Sequence, residues 1–263
     1  MTSKYLLLWL EAPLQSWGFD SRFNRRDTLE FPTKSGILGL LLCAMGLSGE
    51  QREILSRFAS LKQTVLSYEW RRANKKPEVR TLLHDFQMIG SGYNTDKKSW
   101  EYLMIPKTDK GGDAKRSDGS IGGTKITHRY YLQDAKFAAV VEIPSDLSEE
   151  IARALQNPAW PLYLGRRCCI PTELIYRGTF DSEEDALQHL QEYLNQRAEE
   201  RNTAERFSKD WQLHEIFRVV DGQHSGGGFN TANTFILNDV PIQFGKEKKY
   251  RDRTVTKILT QPD

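Results

Sequence analysis

The chain has 263 residues and a formal net charge of +2, and its composition is 38% hydrophobic, 27% charged and 11% aromatic. This composition is typical of a folded globular protein, and it excludes a disordered chain and a strongly basic nucleic-acid-binding domain. The length allows one domain with insertions or two small domains. The three cysteines, Cys43, Cys168 and Cys169, form no C-x-x-C pair, which fits a reducing cytoplasm and does not favour structural zinc.

The first predicted elements are a strand and a helix, both buried. Tyr5 to Leu10 is a continuous apolar hexamer that ends before Ala12-Pro13, as a central strand does. Ser35 to Met45 follows as an apolar helix that stops at Gly46. Neither run is long enough for a signal-peptide core or a bilayer span, so we expect a soluble, cytoplasmic protein.

The start of that helix, FPTKSGILGLL from Phe31, allows two interpretations. In the first, Thr33 or Ser35 caps the helix, while Gly36 and Gly39 let it lie close to a sheet. In the second, the N–H groups of its first turn form a phosphate seat beside Lys34. The two interpretations are compatible, and the sequence leaves both open.

A long polar excursion interrupts the next group of predicted elements. A surface helix at Glu50 to Ser60 and a strand at Gln63 to Trp70 come first. Two strand-like arms, Val79 to Ile89 and Lys125 to Leu132, then flank an interval rich in Gly, Lys, Asp and Ser. An excursion of this length is either a binding arm or a tolerated insertion.

A second core strand, Lys136 to Ile143, and a helix from Asp146 to Leu155 complete the first half. The order strand, helix, strand, excursion, strand, helix predicts an α+β fold with the split β-α-β arrangement of a ferredoxin-like sheet, which RNA-recognition motifs also use. We therefore expect a ferredoxin-like domain over residues 1–160, with the excursion at about residues 84–128.

The remaining residues, 161–263, predict a smaller and more irregular C-terminal sheet extension. It is either a second small sheet or a continuation of the first. Its expected parts are a loop with the sequence LYLGRRCCIP, a strand at Leu174 to Phe180, a helix from Glu183 to about Glu200, and strands near His214 to Val220 and Val255 to Leu259.

No motif for nucleotide hydrolysis or metal binding is present. The chain has no G-x-x-x-x-G-K-[ST] sequence, and its five histidines are scattered without metal-ligand spacing. We therefore expect no cofactor and no metal.

The stretch LYLGRRCC is the most specific candidate for nucleic-acid binding. Gly165 permits a turn with positive φ, and the adjacent Arg166 and Arg167 project in opposite directions on extended chain. Arginine binds phosphate with two parallel hydrogen bonds, and Tyr163 offers a ring for base stacking. The alternative is an arginine paired with a carboxylate at a domain junction.

His128, in the sequence KITHRYY, raises the possibility of catalysis. With Lys125 and Tyr130 it has the side chains for metal-independent RNA cleavage by general acid/base catalysis. Its alternation with Tyr130 equally suits an ordinary strand face.

Four motifs in order resemble the CasD family, the Cascade subunits of CRISPR systems that hold the 5′ handle of the guide RNA. The motifs are APLQSWG, FPTKSGILGLL, THRYYLQDAKF and YLGRRCCIPT, and the resemblance covers at least Tyr5 to Gly178. The paired arginines are most similar to the I-E type. This chain departs from smaller members in the Gly/Lys-rich excursion at Lys107 to Lys125 and in its highly charged C-terminal region.

The resemblance implies a non-catalytic RNA-binding scaffold with a β-hairpin thumb across the guide, in contact with the backbone subunit CasC and the large subunit CasA. Target DNA is then recognised by guide pairing in the assembled complex. By the same matching, the residues expected to contact RNA are Gln15, Ser16, Trp17, Arg25, Lys34, Ser35, Gly36, Lys125, Arg129, Tyr163, Gly165, Arg166 and Arg167.

Two other functions remain open from the sequence. One is an endoribonuclease that trims the precursor guide, as I-C relatives of this family do, with His128, Lys125 and Tyr130 as its candidate residues. The other is a general single-stranded nucleic-acid binder, for which affinity does not depend on the handle sequence.

Overall fold

The computed structural model describes residues 2–19, 21, 24–72, 81–89, 108, 110, 112, 115, 117, 125–205, 210–222 and 232–260. Within these residues the architecture is mixed α+β, as predicted, with eleven strands and four helices. In chain order they are β1 (Ser3–Glu11), β2 (Leu14–Gln15), β3 (Arg25–Arg26), α1 (Lys34–Ala44), α2 (Arg52–Phe58), β4 (Gln63–Arg72), β5 (Leu82–Ile89), β6 (Lys125–Gln133), β7 (Lys136–Pro144), α3 (Ser148–Gln156), β8 (Tyr176–Phe180), α4 (Glu183–Ala204), β9 (Trp211–Asp221), β10 (Ala232–Gln243) and β11 (Lys249–Leu259).

Strands from both halves of the chain form one seven-stranded sheet. Its order is β10-β11-β9-β4-β7-β1-β8, and every neighbouring pair is antiparallel. The C-terminal strands β9, β11 and β10 continue the sheet beyond β4, and β8 forms the opposite edge. The C-terminal residues therefore extend the first sheet and do not form a second one.

Helices cover both faces of the central strands. Leu6, Leu8 and Leu10 of β1 pack on the side of α1, α2 and α3, whereas Leu7 and Trp9 pack against α4. All five side chains are at most 1% exposed. Because both faces are buried, β1 and β7 are nearly continuous apolar runs, and this is why their sequences predict them well.

The sheet face opposite α1, α2 and α3 is covered as well. An RNA-recognition motif stacks bases on an open face of its sheet, but α4 occupies that face of β1, β7 and β4. At its central strands the sheet therefore differs from that of an RNA-recognition motif.

A smaller sheet is built around β6. Strand β5 pairs antiparallel along its whole length, from Leu82 opposite Leu132 to Ile89 opposite Lys125, while the short strands β2 and β3 pair with the other side of β6. The two arms predicted around the excursion thus form an antiparallel hairpin. Apart from five isolated positions, the interval between the arms lies outside the described residues, as does the HSGGGF stretch between β9 and β10.

Several element boundaries differ from the sequence prediction. A 3-10 turn, Ser145–Leu147, precedes α3, so the α-helix begins later than expected, and α4 continues to Ala204. The sequence prediction missed β10, whose apolar residues are interrupted by Asn238, Asp239 and Pro241.

Candidate nucleic-acid interface

A cleft of about 560 Å³ lies where three predicted motifs meet, and we call it the main cleft. Its walls come from the segment after β1, the first turns of α1, the loop after α3, and the connection from β10 to β11. The predicted site residues that line it are Ser16, Trp17, Ser35, Gly36, Tyr163, Gly165 and Arg166. The structure thus brings together residues that are up to 150 positions apart in sequence.

The loop after α3 is fixed against the segment after β1 by backbone contacts. The amide of Ser16 donates to the carbonyl of Leu164 (3.1 Å), and the amide of Leu164 donates to that of Cys169 (2.8 Å). Gly165 has φ +101°, and a Cβ at this position would lie 1.7 Å from the carbonyl oxygen of Ser16. Glycine is therefore required both for the backbone conformation and for the close approach.

The two adjacent arginines have different roles. Arg166 donates from Nη1 to the carbonyl of Tyr130 (3.2 Å) and from Nη2 to that of Arg26 (2.8 Å), and its guanidinium lies over the Tyr131 ring. Arg166 therefore joins three segments of the cleft wall. Arg167 is exposed and has no hydrogen bond or ion pair within the described part of the chain, so it is the arginine that is free to bind phosphate.

The helix start is capped as the first interpretation predicted. The hydroxyl of Thr33 accepts from the amide of Gly36 (3.1 Å), and Oδ2 of Asp239 accepts from the amide of Lys34 (2.7 Å). Gly36 allows close packing against Trp17, since a Cβ here would lie 2.8 Å from that ring. A carboxylate of the protein thus occupies part of the predicted phosphate seat.

Lys34 does not face the cleft, which corrects its prediction as an RNA contact. Its residue is 3% exposed, and Nζ donates to the carbonyl of Leu61 and lies 3.9 Å from Oδ2 of Asp221. Burial lowers the pKa of Lys34, and the nearby Asp221 carboxylate opposes this shift. The lysine is therefore part of the protein interior.

Gln15 is a second correction. Its residue is fully buried, and Nε2 donates to the carbonyls of Leu10 (3.1 Å) and Ala135 (2.6 Å). Its Oε1 accepts from Nε1 of Trp17 (3.1 Å), whose residue is 1% exposed. The amide of Gln15 therefore shapes the segment after β1 and has no group left for RNA.

The predicted site did not include the basic and aromatic residues that the C-terminal connection brings to the cleft. Phe244, Lys248 and Tyr250 line it together with Arg26 from β3. The Lys-rich stretch beside Tyr250 is visible in the sequence, but charge runs are usually solvated surfaces. Only the pairing of β10 with β11 places it opposite the start of α1.

The remaining predicted contacts lie on the hairpin or beside it. Arg25 is exposed, bonds Asp27 through Nε (2.9 Å) and lies over the Tyr130 ring at 5.2 Å. The Asp27 carboxylate raises the pKa of Arg25. Arg129 lies half-buried in β6 opposite Asp85, and the side chain of Lys125 lies outside the described residues.

One side of the hairpin forms a row of exposed and half-buried apolar and aromatic side chains, which we call the thumb face. Its rings are in contact: His84 is stacked on Tyr130 at 4.6 Å, and Nε2 of His84 lies 2.9 Å from Nδ1 of His128. By strand register the thumb face consists of Leu82, His84, Phe86, Met88, Ile126, His128 and Tyr130.

Metal-type clusters and membrane-spanning helices are both absent from the described residues. No group of three or more His, Cys, Asp or Glu side chains there has the arrangement of a metal site. Among the described helices, none combines the length and apolar character that a membrane crossing requires.

The comparisons with known proteins decide the family. A family model described as CRISPR-associated protein (Cas_Cas5) matches residues 5–256. The chain belongs to this Cas5 family. A curated relative, the CRISPR system Cascade subunit CasD of Escherichia coli (strain K12), is 29% identical over 178 residues, which cover 66% of this chain and 70% of the relative.

Solved structures agree with this assignment. A chain of a "CRISPR RNA-guided surveillance complex" is 28% identical, with a TM-score of 0.62 over 97% of this chain and 90% of that chain. A second structure, "Crystal structure of Cas protein", is 25% identical, with a TM-score of 0.54 over 97% and 94% of the two chains. The family resemblance inferred from the four motifs is confirmed, and the comparisons do not favour the endoribonuclease alternative.

Proposed function

We propose that this Cas5-family chain is a non-catalytic Cascade subunit that holds the 5′ handle of the crRNA in the main cleft. The observation that carries the proposal is the convergence of four separate segments, three of them motifs shared with the CasD family, on one basic and aromatic cleft. The similarity to a Cascade subunit supports the assembly, and the cytoplasm is its expected location.

The side chains of the cleft suit a single-stranded nucleotide chain. Arg26 and Lys248 are exposed cations of the lining that can pair with phosphates, Arg167 is an exposed cation next to the lining residue Arg166, and Tyr163 and Tyr250 offer rings for splayed bases. A volume of about 560 Å³ lies within the range of sites that enclose small ligands. Phosphate contacts position the handle, and contacts to base edges would supply sequence preference.

The fold supports a ferredoxin-like origin for the scaffold. The sequence order β1, α1, β4, β7, α3, β8 and the spatial order β8-β1-β7-β4 correspond to a β-α-β-β-α-β unit with an antiparallel sheet. The hairpin is inserted between the second and third strands of that unit, and the later strands add to its edge.

The thumb face is proposed to lie across the guide next to the handle, beside CasC, while another surface meets CasA. Phe86 and Met88 are 54% and 49% exposed and lie on the same face, and exposed apolar side chains grouped in this way are typical of an interaction site. The ring row His84, Tyr130 and His128 gives the same face a stacking surface. The assembled complex would then engage target DNA through guide pairing, without a cofactor in this subunit.

The proposal is tested by reversing two exposed charges, that of Lys248 in the cleft lining and that of Arg167, which follows the lining residue Arg166 in sequence. We expect Arg167→Glu with Lys248→Glu to leave the protein folded but to expose the crRNA 5′ end to exonuclease in reconstituted complexes, because both phosphate contacts become repulsive. The control is Arg153→Glu, a charge reversal at an exposed residue of α3, and it should leave the 5′ end protected.

Unchanged protection in the double variant would contradict handle binding in this cleft. A site-specific, metal-independent cut of a repeat RNA by the purified protein, lost in His128→Ala, would contradict the non-catalytic role.

A further inference from the structure

We propose that Asp239 and Arg253 are positioning residues that hold the basic connection between β10 and β11 in place over the main cleft. The inference rests on the proposed function, since it explains how the cleft is held in a shape that binds RNA. Neither residue lines the cleft, so each would act only through its neighbours.

Asp239 uses both carboxylate oxygens inside the protein. Oδ2 accepts from the amide of Lys34 at the start of α1 (2.7 Å) and from Nη2 of Arg253 (2.8 Å), and Oδ1 accepts from Nε of Arg253 (2.7 Å). Asp239 is 2% exposed. A carboxylate with this burial needs such partners, and the helix start adds a favourable partial charge.

Arg253 extends the contact to two more strands. Its Nη1 donates to Oδ1 of Asp221 at the end of β9, and Oδ2 of Asp221 accepts from the amide of Gln63 in β4 (3.2 Å). Burial opposes the charge of Arg253, but hydrogen bonds to the two carboxylates raise its pKa overall. With Lys34 the group contains two cations and two anions, so its charges balance.

The strand register shows why Asp239 can make these contacts. Asn238 pairs with Asp252 and Val240 pairs with Arg251, so Asp239 is the extra residue of a β-bulge. A bulge redirects a side chain out of the regular alternation and bends the strand. Here the redirected carboxylate reaches the start of α1 instead of a cross-strand neighbour.

The bulge lies just upstream of the connection that carries basic and aromatic residues to the cleft. Residues 244–248 connect β10 to β11 and bring Phe244 and Lys248, with Tyr250 just beyond, to the cleft wall. The opposite wall includes Ser35 and Gly36 of α1. The Asp239 contacts join α1 to the paired strands β10 and β11, whose connection bears the basic residues. They therefore fix the distance between the two walls of the cleft.

A double-mutant cycle on handle-RNA affinity tests the proposal. We expect Asp239→Asn alone to weaken RNA binding about tenfold. In a protein that already carries Lys248→Ala, the same substitution should weaken binding less than about twofold, because the contact of Lys248 with RNA is then absent with or without Asp239. Additive losses, or no loss with Asp239→Asn, would overturn the inference. If Asp239→Asn does not fold, Arg253→Lys, which keeps the charge but loses the forked contact, takes its place in the cycle.

A matched control separates positioning from general stability. Arg197→Met removes a half-buried ion pair with Glu11 on the opposite side of the sheet, at side-chain exposures of 16% and 14%. It should lower the melting temperature without changing RNA affinity. If Lys248→Ala itself has no effect on affinity, the proposed function fails; if Lys248→Ala weakens binding and Asp239→Asn does not, only the positioning inference fails.

Discussion

Gly165 is the residue on which the cleft wall depends most directly. We predict that Gly165→Ala destabilises the protein by more than the roughly 1–3 kcal/mol expected for backbone strain alone, because the new methyl group would collide with the Ser16 carbonyl 1.7 Å away. Denaturant unfolding measures the loss.

Gly222→Ala provides the control for that substitution. Gly222 also has a positive φ, +89°, but no atom of the described residues lies within 4 Å of its ideal Cβ position, so the expected cost is backbone strain. Equal losses in the two variants would contradict a steric role for Gly165.

The arginine pair shows how far sequence reasoning reaches at the level of single residues. A glycine followed by two arginines predicts a turn with anion-binding groups, and the structure places this turn in the cleft. No local pattern distinguishes Arg166, which bonds two carbonyls of β3 and β6, from Arg167, which faces solvent, since the partners lie 36 and 140 positions away. The burial of Gln15 and Lys34 likewise depends on contacts with residues distant in sequence, Ala135 for Gln15 and Leu61 for Lys34.

The contact between β1 and α4 predicts an acid-sensitive element. Although burial opposes it, hydrogen bonds from Arg197 and Trp9 lower the pKa of Glu11 below its ordinary value of 4.5. Because the folded-state pKa is lowered, this stabilisation is complete above the ordinary value and is lost as pH falls through the folded-state pKa.

We therefore predict that Glu11→Gln costs about 2 kcal/mol at pH 7 and makes unfolding free energy less dependent on pH below 4.5, because the half-buried Arg197 loses its nearer carboxylate partner and keeps only Glu173 at 3.7 Å. Urea unfolding between pH 3 and pH 7 measures both effects. An identical acid dependence in the variant and the parent would show that Glu11 does not carry this stabilisation.

The thumb face yields a prediction that separates binding from folding. Phe86→Ala should leave stability within about 0.5 kcal/mol, because the side chain is 54% exposed, and should weaken binding of guide RNA by at least about 1 kcal/mol through lost stacking. Leu83→Ala, an exposed residue on the other side of the hairpin, is the control. Equal effects of the two variants on RNA affinity would argue against the thumb face as the contact surface.

Elements were predictable where burial leaves a simple pattern. β1 and β7 are apolar runs because both their faces are covered, and α4 begins at the Ser182 cap with acidic residues in its first turn. β10 lacks such a pattern, because it is an edge strand with a bulge at Asp239 and a proline at position 241. Its polar interruptions have a structural cause that only the folded neighbours reveal.

At the scale of the whole molecule, the sequence indicated an α+β fold but not the continuity of the sheet. β9 pairs with β4 across about 150 residues of chain, from Thr64 opposite Val220 to Arg72 opposite Trp211. Local propensity has no information about such distant pairing, which depends on the complementary burial of the two strands. The same long-range pairing brings the C-terminal basic residues to a cleft that begins at residue 16.

The most direct measurement of the proposed role compares the affinity of the purified protein for RNA with its native 5′ handle and for the same RNA with a scrambled handle, over a range of salt concentrations. We expect at least about a tenfold preference for the native handle, together with a salt dependence that weakens in the Arg167→Glu, Lys248→Glu protein because fewer phosphates are contacted. Equal affinity for the two RNAs, with the same salt dependence in parent and variant, would contradict handle recognition by this cleft.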